Sequence, residues 1–316
     1  MAVVACANLL ARSLPQRLRP TRRARGRRIA PTYNRLVVSP RSVSVVIPNY
    51  NRGPLLRAAV ASALDSGDVE VEVLVCDDGS SDGSKDVVRE IGDERVRWLP
   101  GARSGGPAGP RNRGIRAAGG EWVAFLDSDD TWVRGKLAAQ LDEIDASGAT
   151  ACATNANRCL PGREEPVGTL YPLLPPTITL ADQLSANLVV TSSVLVSTAK
   201  VREAGGFPER PSRTIYEDYA LWLRLAQLGP ICALDAPWVN YRDDSATSIR
   251  GTMGLELRCT FNALRDFADW RASRQPPVPT AWDERVRMTR QLAGLVSVRD
   301  MVARTVRRGT GRTSSA

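Results

Sequence analysis

Trp122-Val123-Ala124-Phe125-Leu126-Asp127-Ser128-Asp129-Asp130 carries five apolar residues straight into three carboxylates within four positions. An apolar run of this length, bounded by turn formers, predicts a strand covered on both faces, and ligands of open α/β sheets collect at the carboxyl ends of such strands. The spacing therefore places Asp127 to Asp130 on the rim of a cleft. Carboxylates this close repel one another unless they share a cation, and oxygen ligands suit Mg²⁺ or Mn²⁺ that also holds phosphate oxygens. An acidic turn capping the helix that begins near Trp132 fits the same residues, so D-x-D-D alone leaves both readings open.

Upstream, the pattern repeats. Val43 to Ile47 predicts a strand stopped by Pro48 and the polar turn Asn49-Tyr50-Asn51-Arg52, and Gly53-Pro54 opens a helix whose apolar positions recur to Leu64. Glu70 to Cys76 is the next strand, ending in Asp77-Asp78-Gly79-Ser80-Ser81-Asp82-Gly83. Lys85 to Ile91 comes next as a helix and Arg95 to Leu99 as a strand. The glycine-rich loop Gly101 to Gly109 then leads through Pro110-Arg111-Asn112-Arg113-Gly114 into a helix reaching Ala118. This alternation implies right-handed crossovers and a mainly parallel sheet flanked by helices, which puts Asp77-Asp78 and Asp127 to Asp130 on one edge. Asp78 could read a ribose or base there, or form an Asx turn over Gly79.

Downstream regularity falls. The sequence predicts a helix from about 134 to 147, a strand near 150 to 154 and an irregular Pro-rich stretch from 161 to 176. Residues 191 to 197 read as a strand, 198 to 204 as a helix stopped by Gly205-Gly206, and 216 to 228 as an amphipathic helix. Short strands at 231 to 234 and 238 to 241 precede helices at 253 to 272 and 283 to 308. The division expected is a basic, disordered arm (1–41), a domain (42–250) with a nucleotide-binding half (42–130) and an acceptor half (131–250), and a C-terminal helical extension and tail (251–316).

The chain has 316 residues, 43% of them hydrophobic, and a formal charge of +9. Ten arginines and no acids lie in residues 1–41, so residues 42–316 carry a net charge near −1. A near-neutral body argues against nucleic acid as a partner, and the arm could instead rest on an anionic membrane surface. Positive charge comes after the apolar start instead of preceding it, which argues against a signal peptide. Six scattered cysteines without C-x-x-C read as buried free thiols of a cytoplasmic protein. The chain contains no histidine. Every imidazole mechanism is thereby excluded, and acid/base work passes to carboxylates, Lys, Tyr or Cys. Glu217-Asp218, in a first helical turn, either complement the helix dipole or supply a general base. The loop bearing Arg103, Arg111 and Arg113 offers phosphate or base contacts, but the chain lacks both the G-x-G-x-x-G and the G-x-x-x-x-G-K-[ST] patterns.

In order along the chain stand V-S-V-V-I-P-N-Y-N from Val43, D-D-G-S-S-D from Asp77, R-N-R-G from Arg111, G-E-W-V-A-F-L-D-S-D-D from Gly120, A-G-G-F from Ala204 and E-D-Y-A-L-W-L-R-L from Glu217. Together they resemble glycosyltransferase family 2, with its GT-A, Rossmann-like fold, over about residues 42 to 249. The resemblance implies an inverting transferase that moves a sugar from a nucleotide-diphosphate sugar, UDP-linked by expectation, to a hydroxyl acceptor that is a glycan, lipid-linked or a small molecule. Pro48, Asn49 and Tyr50 would frame the base, Asp78 would bond it, and Arg113 would flank the nucleotide. Asp127 and Asp129 match the D-x-D, with Asp129 on a divalent metal, Mg or Mn, and Asp127 nearer ribose or metal. Asp218 matches the general base, with Glu217 beside it. Many relatives place a histidine after a Y-R pair near the metal; here Tyr241-Arg242 is followed by Asp243-Asp244, so Asp244 either substitutes as a ligand or the ligand is missing. Thr191 to Ser193, Trp222 and the loop near Asp243 are expected to line the acceptor pocket. A sugar-nucleotide nucleotidyltransferase is the rival enzyme, and a non-catalytic nucleotide-sugar binding module the rival from another class.

Overall fold

The computed structural model describes residues 41–67, 69–209, 216–244 and 253–274. The expected arm up to Pro40 and the helix at 283–308 lie outside them. Strand β1 (Ser42–Asn49), helix α1 (Gly53–Leu64), β2 (Glu70–Asp77), α2 (Ser84–Ile91), β3 (Val96–Leu99), α3 (Ala108–Ala117) and β4 (Trp122–Phe125) alternate as the apolar periods predict. Then come β5 (Thr131–Trp132), α4 (Lys136–Ser147), β6 (Ala151–Cys159), β7 (Thr177–Ile178), α5 (Leu180–Ser185), a 3₁₀ turn (Thr191–Ser193), β8 (Leu195–Ser197) and α6 (Thr198–Glu203). Helix α7 (Glu217–Leu228), β9 (Ile231–Arg242) and α8 (Met253–Ala272) complete the order.

All of these strands join one mixed sheet in the order β3-β2-β1-β4-β8-β6-β9-β5, with β7 also on β9. The N-terminal half is parallel throughout: β1 pairs β2 and β4, and β2 pairs β3. Beyond β4, β8 runs antiparallel to both β4 and β6, β6 is parallel to β9, and β5 and β7 are antiparallel to β9. Side chains alternate across β1, so Val43, Val45 and Ile47 pack with α1 and α4 on one face, whereas Val46 joins Leu74, Phe125 and Trp222 on the other.

Several segments differ from the sequence reading: Thr131–Trp132 pairs as a short strand, and β6 runs on to Cys159, beyond the strand expected near 150 to 154. Residues 191 to 193 form a 3₁₀ turn before a strand of only Leu195–Ser197, because all three hydroxyls bond inside the protein in place of a sheet ladder. The two short strands expected at 231–234 and 238–241 are one, β9, whose partner β6 shifts register around Asn155 opposite Pro237. Proline lacks the donor a ladder needs, and the irregularity absorbs it. The β7–α5 unit falls in sequence too short to show a period; Thr179 and Asp182 cap α5 reciprocally. The thiols of Cys76, Cys152 and Cys232 are free and buried, that of Cys159 is free and half-buried, and Cys259 is buried. Among the described residues no helix is long and apolar enough to cross a membrane.

Candidate active site

Parallel pairing brings the ends of β1, β2 and β4 to one edge: Asn49 lies level with Asp77, and the amide of Leu126 donates to the carbonyl of Val46 at 3.1 Å. Pro48 and Asn49 are buried and Tyr50 is exposed. Asn49 Nδ2 donates to Ser80 Oγ (3.0 Å) and more weakly to Asp77 Oδ1 (3.3 Å). The Asx turn falls on Asp77 and not on Asp78: Oδ2 of Asp77 accepts from the amides of Gly79 and Ser80, both at 3.0 Å. Asp78, 2% exposed, is left to reach the glycine-rich loop. Its Oδ1 accepts from the amide (2.8 Å) and hydroxyl (2.6 Å) of Ser104, and its Oδ2 from the Arg103 guanidinium. Arg103 in turn lies 3.5 Å over the ring of Tyr50. The loop thus closes on the carboxylate that the family resemblance assigns to the nucleotide base.

Helix α3 sorts the two arginines of R-N-R-G. A Cβ at Gly114 would come within 2.4 Å of Val46, so the helix presses its glycine onto the sheet. Arg111, three residues earlier, shares that inward face and is 4% exposed. Its Nη2 donates to Asp127 Oδ1 and its Nη1 to Glu217 Oε1, each at 2.7 Å. Burial disfavours this guanidinium's charge, but Asp127 and then Glu217 outweigh burial and raise its pKa. Arg113 faces elsewhere: its Nη2 donates to the carbonyl of Asp77, bracing the end of β2 with no acid of the cluster among its hydrogen bonds. Sequence reasoning offered both arginines for phosphate or base contacts and missed the two ion pairs of Arg111, although the spacing to Gly114 carried the signal.

The three carboxylates after β4 diverge. Asp127 pairs with Arg111. Asp129, with a side chain 28% exposed, has Arg52 at 3.9 Å, and burial followed by the Asp127 charge raises its pKa. Asp130 points inward: Oδ2 accepts from Ser192 Oγ (2.5 Å) and Oδ1 from the amide of Arg242 (2.8 Å). That last bond ties the end of β9 to the cluster. Beyond it Asp243 pairs with Arg158 at 2.5 Å and Asp244 with Arg242 at 3.4 Å. Among the described residues no three His, Cys, Asp or Glu side chains converge into a metal cage. Asp127 and Asp129 do suit a divalent cation: their mutual repulsion is what shared positive charge relieves, and Mg²⁺ or Mn²⁺ needs only one or two carboxylates where substrate phosphates supply the rest.

Helix α7 delivers the remaining acids. Trp222 packs on Phe125 and Phe207, at ring distances of 6.1 and 5.9 Å, and so sets the first turn of α7 beside the end of β4. Tyr216, just before the helix, takes φ 70°, a left-handed conformation costly for a bulky residue and common where function fixes the backbone. Glu217 is 6% exposed. Burial pushes its pKa up, Arg111 pulls it back, and Asp218 and Asp127 push again, to about 7. Asp218 is half-buried; its Oδ2 accepts from Thr191 Oγ1 (3.1 Å) and its Oδ1 from the amide of Tyr219 (2.7 Å). Asn112 clasps the A-G-G-F segment by exchanging bonds with the carbonyl and amide of Phe207, both at 2.8 Å. Gly206 (φ +66°) is required there, since its Cβ would meet Asn112 Oδ1 at 2.4 Å.

Comparison with known proteins finds the family model "Glycosyl transferase family 2" on residues 44–195. An Escherichia coli UDP-Glc:alpha-D-GlcNAc-diphosphoundecaprenol beta-1,3-glucosyltransferase is 30% identical over 229 residues, covering 72% of this chain and 87% of that protein. Among solved structures, S. aureus TarS 1-349 in complex with UDP-GlcNAc has a TM-score of 0.60 at 22% identity, over 78% of this chain and 70% of that one. A mannosyltransferase from Pyrobaculum calidifontis in complex with GDP-Man and Mn²⁺ has a TM-score of 0.54 at 17% identity, over 87% of this chain and 81% of the other.

Proposed function

The chain belongs to glycosyltransferase family 2, is an enzyme of the glycosyltransferase type and has the GT-A fold; from there we propose that it is an inverting enzyme using a UDP-linked sugar, with Asp218 as general base. The observation that carries this is the Arg111 bridge, which joins the acids after β4 to the first turn of α7. Of the two acids that open α7, Glu217 is buried against the guanidinium and Asp218 is only half-buried. Only Asp218 combines reach to an acceptor with a fixed orientation.

Asn49 and Tyr50 frame the uracil in this reading, and Asp78 accepts from its imide N–H. Asp129, with Asp127 beside it, would hold Mg²⁺ or Mn²⁺ on the donor diphosphate; Asp244, paired with Arg242 at 3.4 Å, would be the candidate for a further oxygen donor. When bound, the metal supplies positive charge to the leaving diphosphate. The acceptor hydroxyl attacks the anomeric carbon from the face opposite that diphosphate, and its proton passes to a carboxylate oxygen of Asp218. Configuration at the anomeric carbon is inverted, and the products are the glycoside and UDP. The acceptor class is that of the Escherichia coli relative: a sugar hydroxyl on a lipid-linked diphosphate, met at a membrane surface that the basic residues 1–41 would favour.

A panel of UDP-glucose, UDP-GlcNAc and GDP-mannose with Mn²⁺, read for released nucleotide and for product anomer by NMR, tests the reading. Turnover of a UDP-sugar to the inverted anomer is expected. Calorimetry with UDP should show Mn²⁺-dependent binding that Asp129→Ala removes. Retained anomeric configuration would overturn the mechanism, and UDP binding without turnover on any donor would make the chain a binding module.

A further inference from the structure

Thr191, Ser192 and Ser193 place three consecutive hydroxyls in the interior, with relative exposures of 5%, 1% and 0%. Buried hydroxyls are kept where each finds a partner, so the destination of each bond is informative. Ser193 stays local, donating to the carbonyl of Val190 at 2.8 Å. Ser192 does not: Oγ accepts from the amide of Asp127 (3.1 Å) and donates to Asp130 (2.5 Å), and its carbonyl accepts from Trp132 Nε1 (2.8 Å). The carbonyl of Ser193 is held by Gln140 Nε2 at 2.8 Å. The turn is therefore fixed to β4, β5 and α4 at once. Of the three hydroxyls, that of Thr191 is the one that reaches α7, at Oδ2 of Asp218, 3.1 Å away.

We propose that Thr191 is the positioning residue of the proton transfer. A carboxylate can only accept, so the Thr191 hydroxyl is the donor, and with the amide of Tyr219 on Oδ1 it holds both oxygens of Asp218 in one orientation. One residue after Thr191, Ser192 bonds the backbone of Asp127 and the side chain of Asp130. The turn thus sets where the base stands relative to the carboxylates that anchor the donor. A base that rotates freely loses part of the benefit of a fixed attack geometry, although its chemistry is intact. The inference rests on Asp218 being the base.

The test is steady-state kinetics of the full chain with the UDP-sugar selected by the donor panel, comparing Thr191→Val, Thr191→Ala and Thr191→Ser with Asp218→Asn. Valine keeps the shape and removes the hydroxyl. Both Thr191→Val and Thr191→Ala should lower kcat by about tenfold or more with donor KM within about twofold, and Thr191→Ser should recover most of the rate. A packing role would instead spare Thr191→Val or impair Thr191→Ser as much as Thr191→Ala. Wild-type kcat in Thr191→Val, or in Thr191→Ala should the valine variant not fold, beside an inactive Asp218→Asn overturns this inference alone. Wild-type kcat in Asp218→Asn overturns the base assignment itself.

Discussion

Glu217 and Arg103 show how much of the site is decided by single contacts. Glu217 titrates near pH 7 because it is buried, so the folded protein binds its proton more tightly than the unfolded chain does. Its contribution to stability is then greatest below its ordinary value of 4.5 and is lost as pH rises through about 7. Glu217→Gln should remove that loss: relative to wild type, its Tm should gain between pH 5 and pH 7.5, and an unchanged difference would show that the carboxylate is ionised throughout. Arg103 lies over the ring of Tyr50 and engages Oδ2 of Asp78, so in the proposed reading it stands where the uracil would bind. Arg103→Ala should therefore bind UDP several-fold more tightly by calorimetry, with Ser104 still holding Oδ1; weaker binding would mean that Arg103 contacts the donor. Sequence could name Asp78, since a carboxylate after a strand is visible as such. It could not show the arginine over it, because loop side chains have no period to read.

At the scale of elements, the parallel half was legible because each strand ends in a turn former and each helix begins with one. The second half was not, because its order depends on contacts between distant segments. The turn at Thr191–Ser193 reads as strand by its β-branched and apolar neighbours, yet the bonds of Ser192 to Asp127 and Asp130 hold it in a 3₁₀ turn. Asp130 is held by the same turn. The D-x-D-D spacing suggests a third acid on the cleft, whereas the structure gives it to Ser192 and to the backbone of β9. Asp130→Ala should therefore lower stability by about 1–3 kcal/mol, through the donors it leaves buried, and the end of β9 should loosen. Denaturant titration beside Asp129→Ala checks it: Asp129, at the rim, should lose metal-dependent UDP binding and little stability. Equal destabilisation by the two would contradict the division of labour within the acidic run.

At the scale of the whole molecule, Arg41 is tied to the domain: its guanidinium donates to the carbonyl of Leu141 at 2.9 Å and pairs with Asp145 on α4. A chain beginning at Arg41 should fold and turn over its donor, and one beginning at Val43 should melt lower; an insoluble or inactive Arg41 chain would place earlier residues within the fold. Family and fold were legible from six motifs in order, and so was the pair of acids opening α7. The family resemblance pointed to Asp218 as the base; what no local pattern could show is the ion pair that buries Glu217, which runs across 106 positions to Arg111. That assignment is central to the mechanism, and kcat of Asp218→Asn tests it most directly. The amide keeps the size of the carboxylate and cannot take the acceptor's proton, so kcat should fall by about 10²–10⁴-fold with UDP affinity and Tm near wild type. A variant retaining more than about a tenth of wild-type kcat would contradict Asp218 as the base.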